Sequence, residues 1–179
     1  MRKFYMDTNV FISSLKPDDP YHSEAKIITR SLVEEKIQAN TSVLTLLETA
    51  SVVSRIYEAK KGNQKERRIF VIKALRRLAS FKINFIHITG DAPIAIRNIR
   101  ADMPNIFNEA ILLSLHSTLR TLDLIHLAAA RYAKQMNRDL GAFVTGDSEF
   151  LSKKEELLKI LKMPVLSPRE YVQALGIQN

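Results

Sequence analysis

The stretch Lys3-Phe4-Tyr5-Met6-Asp7-Thr8-Asn9-Val10 opens the chain with a short apolar run that ends on a carboxylate. A run of this length, cut off by polar residues, reads as a buried strand. The same pattern returns at Lys36–Ala39, Ile83–Ile88, Gly141–Thr145 and Pro164–Leu166. Between these runs the apolar residues fall at helical spacing. Helices are expected over Tyr21–Glu35, Val43–Ala59, Lys65–Ala79, Ala92–Arg100, Asn105–Ser117, Leu122–Met136, Ser148–Leu161 and Pro168–Leu175. Gly62-Asn63 parts the second and third of them. Strands alternating with helices imply a three-layer α/β/α sandwich around a mostly parallel, five-stranded sheet.

At 179 residues one domain is expected, and no repeat or linker marks a second. The segment 89–121 is long enough to carry an enlarged helical region. There is no cysteine, which excludes disulfides and thiolate-bound zinc and suits a reducing cytoplasm. Polar Asp7-Thr8-Asn9 comes too early for a signal peptide, and no apolar run approaches the roughly 18–20 residues of a membrane span. The net charge is +8, from 27 basic and 19 acidic residues, which favours a polyanionic partner.

Four acids occupy comparable positions. Asp7 directly follows the first expected strand, Glu48 follows the second, and Asp147 follows Ala142-Phe143-Val144-Thr145-Gly146. Asp123 opens the helix Leu122-Asp123-Leu124-Ile125-His126-Leu127-Ala128-Ala129-Ala130, among apolar neighbours. Each could be a helix cap or a partner of the helix dipole, because helix starts collect acids. For Glu48 the cap is a capping box, Thr45-Leu46-Leu47-Glu48, and Thr121 would cap the helix of Asp123. Yet parallel strands present their carboxyl ends along one edge, the usual ligand crevice of an open α/β sheet. Acids gathered there need a counter-charge. Oxygen-only ligands favour Mg²⁺ or Mn²⁺, and such a site suits phosphodiester hydrolysis with one or two ions.

In order and context, Asp7-Thr8-Asn9, Glu48, Leu122-Asp123…His126-Leu127-Ala128 and Val144-Thr145-Gly146-Asp147…Phe150 resemble the motifs of the PIN-domain nucleases. The resemblance spans roughly Phe4 to Phe150. It implies a five-stranded parallel sheet and Mg²⁺- or Mn²⁺-dependent RNA endonuclease activity, with Asp7, Glu48, Asp123 and Asp147 as catalytic, metal-holding acids. Asn9 and Thr145 would orient them. Small single-domain members resemble the toxin half of VapBC toxin–antitoxin pairs, which implies a homodimer and an antitoxin partner. Two features depart from the pattern. Glu48 and Asp123 stand 75 positions apart (123 − 48), and Glu149 lies where an Asp is common.

Lys60, Lys61, Lys65, Arg67, Arg68, Lys73, Arg76 and Arg77 form a basic region that could track an RNA backbone or simply face solvent. Phe81, Phe85 and Phe107 are expected in the core. His126, one turn from Asp123, is expected as a packed, hydrogen-bonded histidine. No Walker loop, Gly-x-Gly-x-x-Gly or Gly-x-Ser-x-Gly is present. Two other readings compete with a ribonuclease: a small-molecule phosphohydrolase using the same crevice, and a non-catalytic basic module that binds RNA or protein. The first is weakened by Asn9, which stands where an aspartyl-phosphate motif carries a second Asp.

Overall fold

Phe4, Tyr5 and Met6 are fully buried, so the strand they form needs cover on both faces. The computed structural model supplies it, describing residues 2–59, 63–86, 91–93 and 102–176. Strands β1 (Lys3–Met6), β2 (Gln38–Ser42), β3 (Ile83–Ile86), β6 (Phe143–Val144) and β7 (Val165–Leu166) form one sheet in the order β3-β2-β1-β6-β7. Every pairing in it is parallel. Helices α1 (Thr8–Leu15), α2 (His22–Val33), α3 (Leu44–Ala59), α4 (Gln64–Ala79) and α9 (Pro168–Leu175) alternate along the chain with these strands. So do α5 (Asn105–Ser114), α6 (Thr121–Met136), α7 (Ser148–Ser152) and α8 (Lys154–Leu161).

Side chains on successive strand residues point to opposite faces. Phe4 and Met6 join a core with Val10, Phe11, Ile28, Leu32, Leu78 and Tyr171, from α1, α2, α4 and α9. Tyr5 and Phe143 join the other core, with Ile106, Leu127, Ala129, Phe150 and Leu157, from α5 through α8. The result is the expected three-layer sandwich, its five-stranded sheet parallel throughout. Phe81 is in the first core, and Phe85 and Phe107 pack against the edges of the two. Helix α6 buries Leu124 through Ala130 without a break, and its alanines let it lie close to the sheet.

Three expectations are corrected, and one helix is added. Strand β2 starts later than Lys36 and runs on through Thr41-Ser42. These polar residues tolerate burial because the Thr41 hydroxyl donates to the Met6 carbonyl at 2.7 Å. The helix expected over Ala92–Arg100 does not begin at Ala92. Asp91–Pro93 is strand β4, paired antiparallel with β5 (Asp102–Pro104), and residues 94–100 lie outside the described residues. Pro93 disfavours helical backbone at Ala92, the residue before it. The helix expected over Ser148–Leu161 breaks at Lys153, whose φ of −109° and ψ of 20° leave the helical range. Helix α1, not separately expected, begins directly after Asp7. Among the described residues, no helix is long and apolar enough to cross a membrane.

Candidate functional site

The sheet order places β1 beside both β2 and β6. The chain leaves β1 towards opposite sides there, so the crevice between the carboxyl ends of β1 and β6 is the topological switch point. Asp7 lies on it: its N–H extends the sheet by donating to the Val144 carbonyl at 3.0 Å. Asp147 follows β6 across the crevice, Glu48 projects from α3, and Asp123 stands in the first turn of α6. All four line one cleft of about 570 Å³.

Capping accounts for one acid of the four. Asp147 accepts from the Glu149 N–H at 2.7 Å, as an N-cap does. Asp7 occupies the N-cap position of α1 but caps nothing. Its Oδ2 accepts instead from Asn9 Nδ2 at 2.7 Å and from the Thr145 hydroxyl at 2.7 Å. The capping box around Glu48 is absent, because α3 already begins at Leu44. Thr45 contacts the hydroxyls of Thr8 and Thr41 at 3.0 and 2.7 Å. Nor does Thr121 cap α6; the N-cap is Arg120, without a side-chain bond, and the Asp123 carboxylate accepts no hydrogen bond among the described residues.

Asn9 and Thr145 form the frame under Asp7. Asn9 Nδ2 also donates to Thr145 Oγ1 at 3.0 Å, and Asn9 Oδ1 accepts from the Gly146 N–H at 2.7 Å. Thr145 Oγ1 accepts in turn from the Asp147 N–H at 3.0 Å. A Cβ at Gly146 would meet the Tyr21 ring at 3.1 Å, so the turn admits little more than glycine. On the other side, Glu48 Oε2 accepts from the Thr8 hydroxyl and from His126 Nε2, the latter at 2.8 Å. Asp7 and Glu48 therefore each have one oxygen fixed by two donors. The second oxygen of Glu48 has no hydrogen bond among the described residues, while the Thr8 N–H also lies against the Asp7 carboxylate.

The electrostatics follow from this crowding. Burial pushes Asp123 up to about 6, and the neighbouring Asp7, Asp147 and Glu149 charges add to the effect. Burial also lifts Asp7 above its ordinary value, against the pull of His126 and Thr145. Burial opposes the charge on Glu48 too, but there the His126 and Thr8 bonds outweigh it and hold the carboxyl down. The same contest raises His126: burial disfavours its cation, and Glu48 with Asp7 favours it more. Among the described residues, no Lys or Arg forms an ion pair with Asp7, Glu48, Asp123 or Asp147.

This donor set, acidic oxygens short of counter-charge, matches a hard divalent cation. Among the described residues no three His, Asp or Glu side chains already stand close enough to share an ion. Gathering them on one requires side-chain rotation, and the Asp123 carboxylate, half-buried and accepting no hydrogen bond among the described residues, is the one least fixed by its neighbours.

Basic residues of α4 border two clefts. Arg67 and Arg68 line a groove of about 640 Å³ between α3 and α4, and Arg67 approaches Glu58 at 3.9 Å. Arg76 and Arg77 sit in the last turn of α4, and Arg77 borders a separate cleft with Lys26 and Arg30. Lys60 and Lys61 lie outside the described residues. The acidic cleft instead contains Arg55, two turns beyond Glu48 on α3, together with apolar Leu47 and Leu122, 67% and 48% exposed. Sequence reasoning passed over Arg55. Its signal was the seven-residue spacing from Glu48, which puts both on one helix face.

A family model described as PIN domain matches residues 4–156 of this chain. Among solved structures, the crystal structure of FitAcB from Neisseria gonorrhoeae is similar, with a TM-score of 0.51 at 17% identity. The match covers 93% of this chain and 98% of that one, and at such identity the likeness is one of fold. No curated protein matches the sequence.

Proposed function

The chain belongs to the PIN-domain family of nucleases, and from that premise we propose that it is a metal-dependent endoribonuclease acting on RNA phosphodiester bonds. The observation that carries the reading is the acidic cleft at the sheet's switch point, where Asp123 is pushed up to about 6 and pairs with no Lys or Arg among the described residues. In this reading Asp7, Glu48, Asp123 and Asp147 hold one or two Mg²⁺ or Mn²⁺ ions. When bound, such ions offset charge on the phosphoryl oxygens and make an attacking water more acidic.

The chain's own residues orient the parts. Asn9 and Thr145 fix Asp7 at the wall of the cleft. Arg55 holds a phosphate next to the scissile one, and Leu47 with Leu122 offers apolar surface to a nucleobase. The α3–α4 groove with Arg67 and Arg68 extends the path for the RNA backbone, and Arg76 and Arg77 add positive charge in the last turn of α4. The similarity to VapBC toxins supports a homodimeric protein, silenced by an antitoxin and acting in the cytoplasm. We further propose that the whole chain is one domain.

The test uses RNA and a small phosphate ester, each with Mn²⁺, and the wild-type and Asp7→Asn chains. Cleavage of RNA but not of the ester is expected. Asp7→Asn should lower the rate by at least about 100-fold with the fold intact, the scale of losing a group that stabilises transition-state charge. Unchanged RNA cleavage by Asp7→Asn would remove the assignment. Ester turnover without RNA cleavage would favour the phosphohydrolase.

A further inference from the structure

His126 and Tyr5 are buried beneath the acidic cleft, 2% and 0% exposed. Neither lines it. Tyr5 lies at the centre of β1, its ring stacked on Phe143 with centroids 5.2 Å apart. Its hydroxyl oxygen accepts from the Ser42 N–H at 3.1 Å and stands 3.0 Å from His126 Nδ1. The other ring nitrogen, Nε2, stands 2.8 Å from Glu48 Oε2.

Hydrogen-bond bookkeeping orders the protons. The Ser42 N–H can only donate, so the tyrosine oxygen receives it. The tyrosine's own proton needs an acceptor, and His126 Nδ1 is the acceptor in reach. With Nδ1 accepting, the neutral imidazole carries its proton on Nε2, and that N–H donates to Glu48 Oε2; in the cation, which Glu48 and Asp7 favour, Nε2–H donates to the same oxygen and Nδ1 no longer accepts. The result is a directed chain, Ser42 to Tyr5 to His126 to Glu48, crossing from β2 through β1 and α6 to α3. Here both ring nitrogens are committed, and the chain ends on an acid of the cleft.

We propose that Tyr5 and His126 are positioning residues: Tyr5 selects the Nε2–H tautomer of His126, and that N–H, with the Thr8 hydroxyl, fixes Glu48 Oε2 and leaves Oε1 facing the cleft. The proposal rests on Glu48 belonging to the nuclease site. Thr8 by itself is insufficient, because its single proton is also in reach of Thr45.

The test uses the full chain in wild-type form and as Tyr5→Phe, His126→Gln, His126→Asn and Glu48→Gln. The first readout needs no activity: long-range ¹H–¹⁵N spectra report the His126 tautomer, assigned by the signal lost in His126→Gln. The Nε2–H form is expected in the wild type, and loss of that preference is expected in Tyr5→Phe. A wild-type Nδ1–H form, or a ring protonated on both nitrogens at the pH of the cleavage assay, overturns the proposal. The second readout is RNA cleavage with Mn²⁺. His126→Asn should lower kcat by about 10- to 100-fold with KM within about twofold, as removal of a ligand-orienting partner does. His126→Gln, whose amide N–H can reach where Nε2 stands, should recover most of that loss.

Equal impairment of the Asn and Gln variants would assign His126 to packing and overturn the proposal. So would a folded His126→Asn variant with wild-type kcat beside an inactive Glu48→Gln. An active Glu48→Gln would instead remove Glu48 from the nuclease site, and the positioning role with it.

Discussion

Asp123 reports the state of the cleft. Its carboxyl, pushed up to about 6 by burial and the surrounding acids, binds its proton more tightly in the folded chain than in the unfolded one. Between the ordinary aspartate value and about 6, the folded state therefore holds more protons, and stability falls as pH rises through that window. Metal-free protein should thus melt lower at pH 7 than at pH 4.5 as far as this residue contributes. Asp123→Asn should stabilise the metal-free chain at pH 7.5 by about 1 kcal/mol, allowing for solvent screening of a half-buried group. For a chain of this size that is a rise of roughly 2–4 °C in Tm, measured by thermal melt in EDTA. Excess Mn²⁺ should narrow the difference, because only the wild type retains all four acids. The four acids were legible as residues because each follows a strand or opens a helix in the sequence. The roles of Tyr5, His126 and Arg55 were not. The Tyr5–His126 contact joins positions 121 apart, and local periodicity carries no sign of it.

Helix α9 shows an element written almost entirely in local sequence. Ser167 accepts from the Glu170 N–H, Glu170 reaches back to the Ser167 N–H, Pro168 occupies the first turn, and Gly176 closes the helix at φ 67°. The Lys154 ammonium bonds to Glu170 and, with the cap, holds its carboxyl down at about 2. Ser167→Ala should destabilise by about 1 kcal/mol, read from a urea midpoint. Helix α6 was legible for a different reason, its unbroken apolar run. Ala129 is wholly buried against the sheet core, so Ala129→Leu should overpack it by about 1–3 kcal/mol. Strands β4 and β5 were the least legible. Their pairing joins Asp91 to Pro104, and a strand defined by a distant partner leaves little trace in its own residues. Strand β2 was misplaced for a related reason. Its Thr41 and Ser42 look exposed by composition, and burial suits them only because hydroxyl partners stand on β1 and α3.

At the scale of the molecule, a parallel sheet with its switch point between β1 and β6 brings acids from distant parts of the chain to one edge. The three-layer architecture followed from alternating strands and helices. The positions of the positive charges did not, since a charge run in sequence does not say which face it takes. With a net charge of +8, RNA binding should weaken with salt, and a plot of log KM against log salt should be steep. Arg55→Ala should lower that slope by about 0.7, one phosphate contact on a single strand, with kcat little changed. The central claim is that these acids share a divalent ion. The most direct measurement is anomalous diffraction from a crystal soaked in Mn²⁺ at a concentration that supports RNA cleavage. A peak touching Asp7 and at least one of Glu48, Asp123 and Asp147 is the predicted result. An empty cleft under those conditions would contradict it.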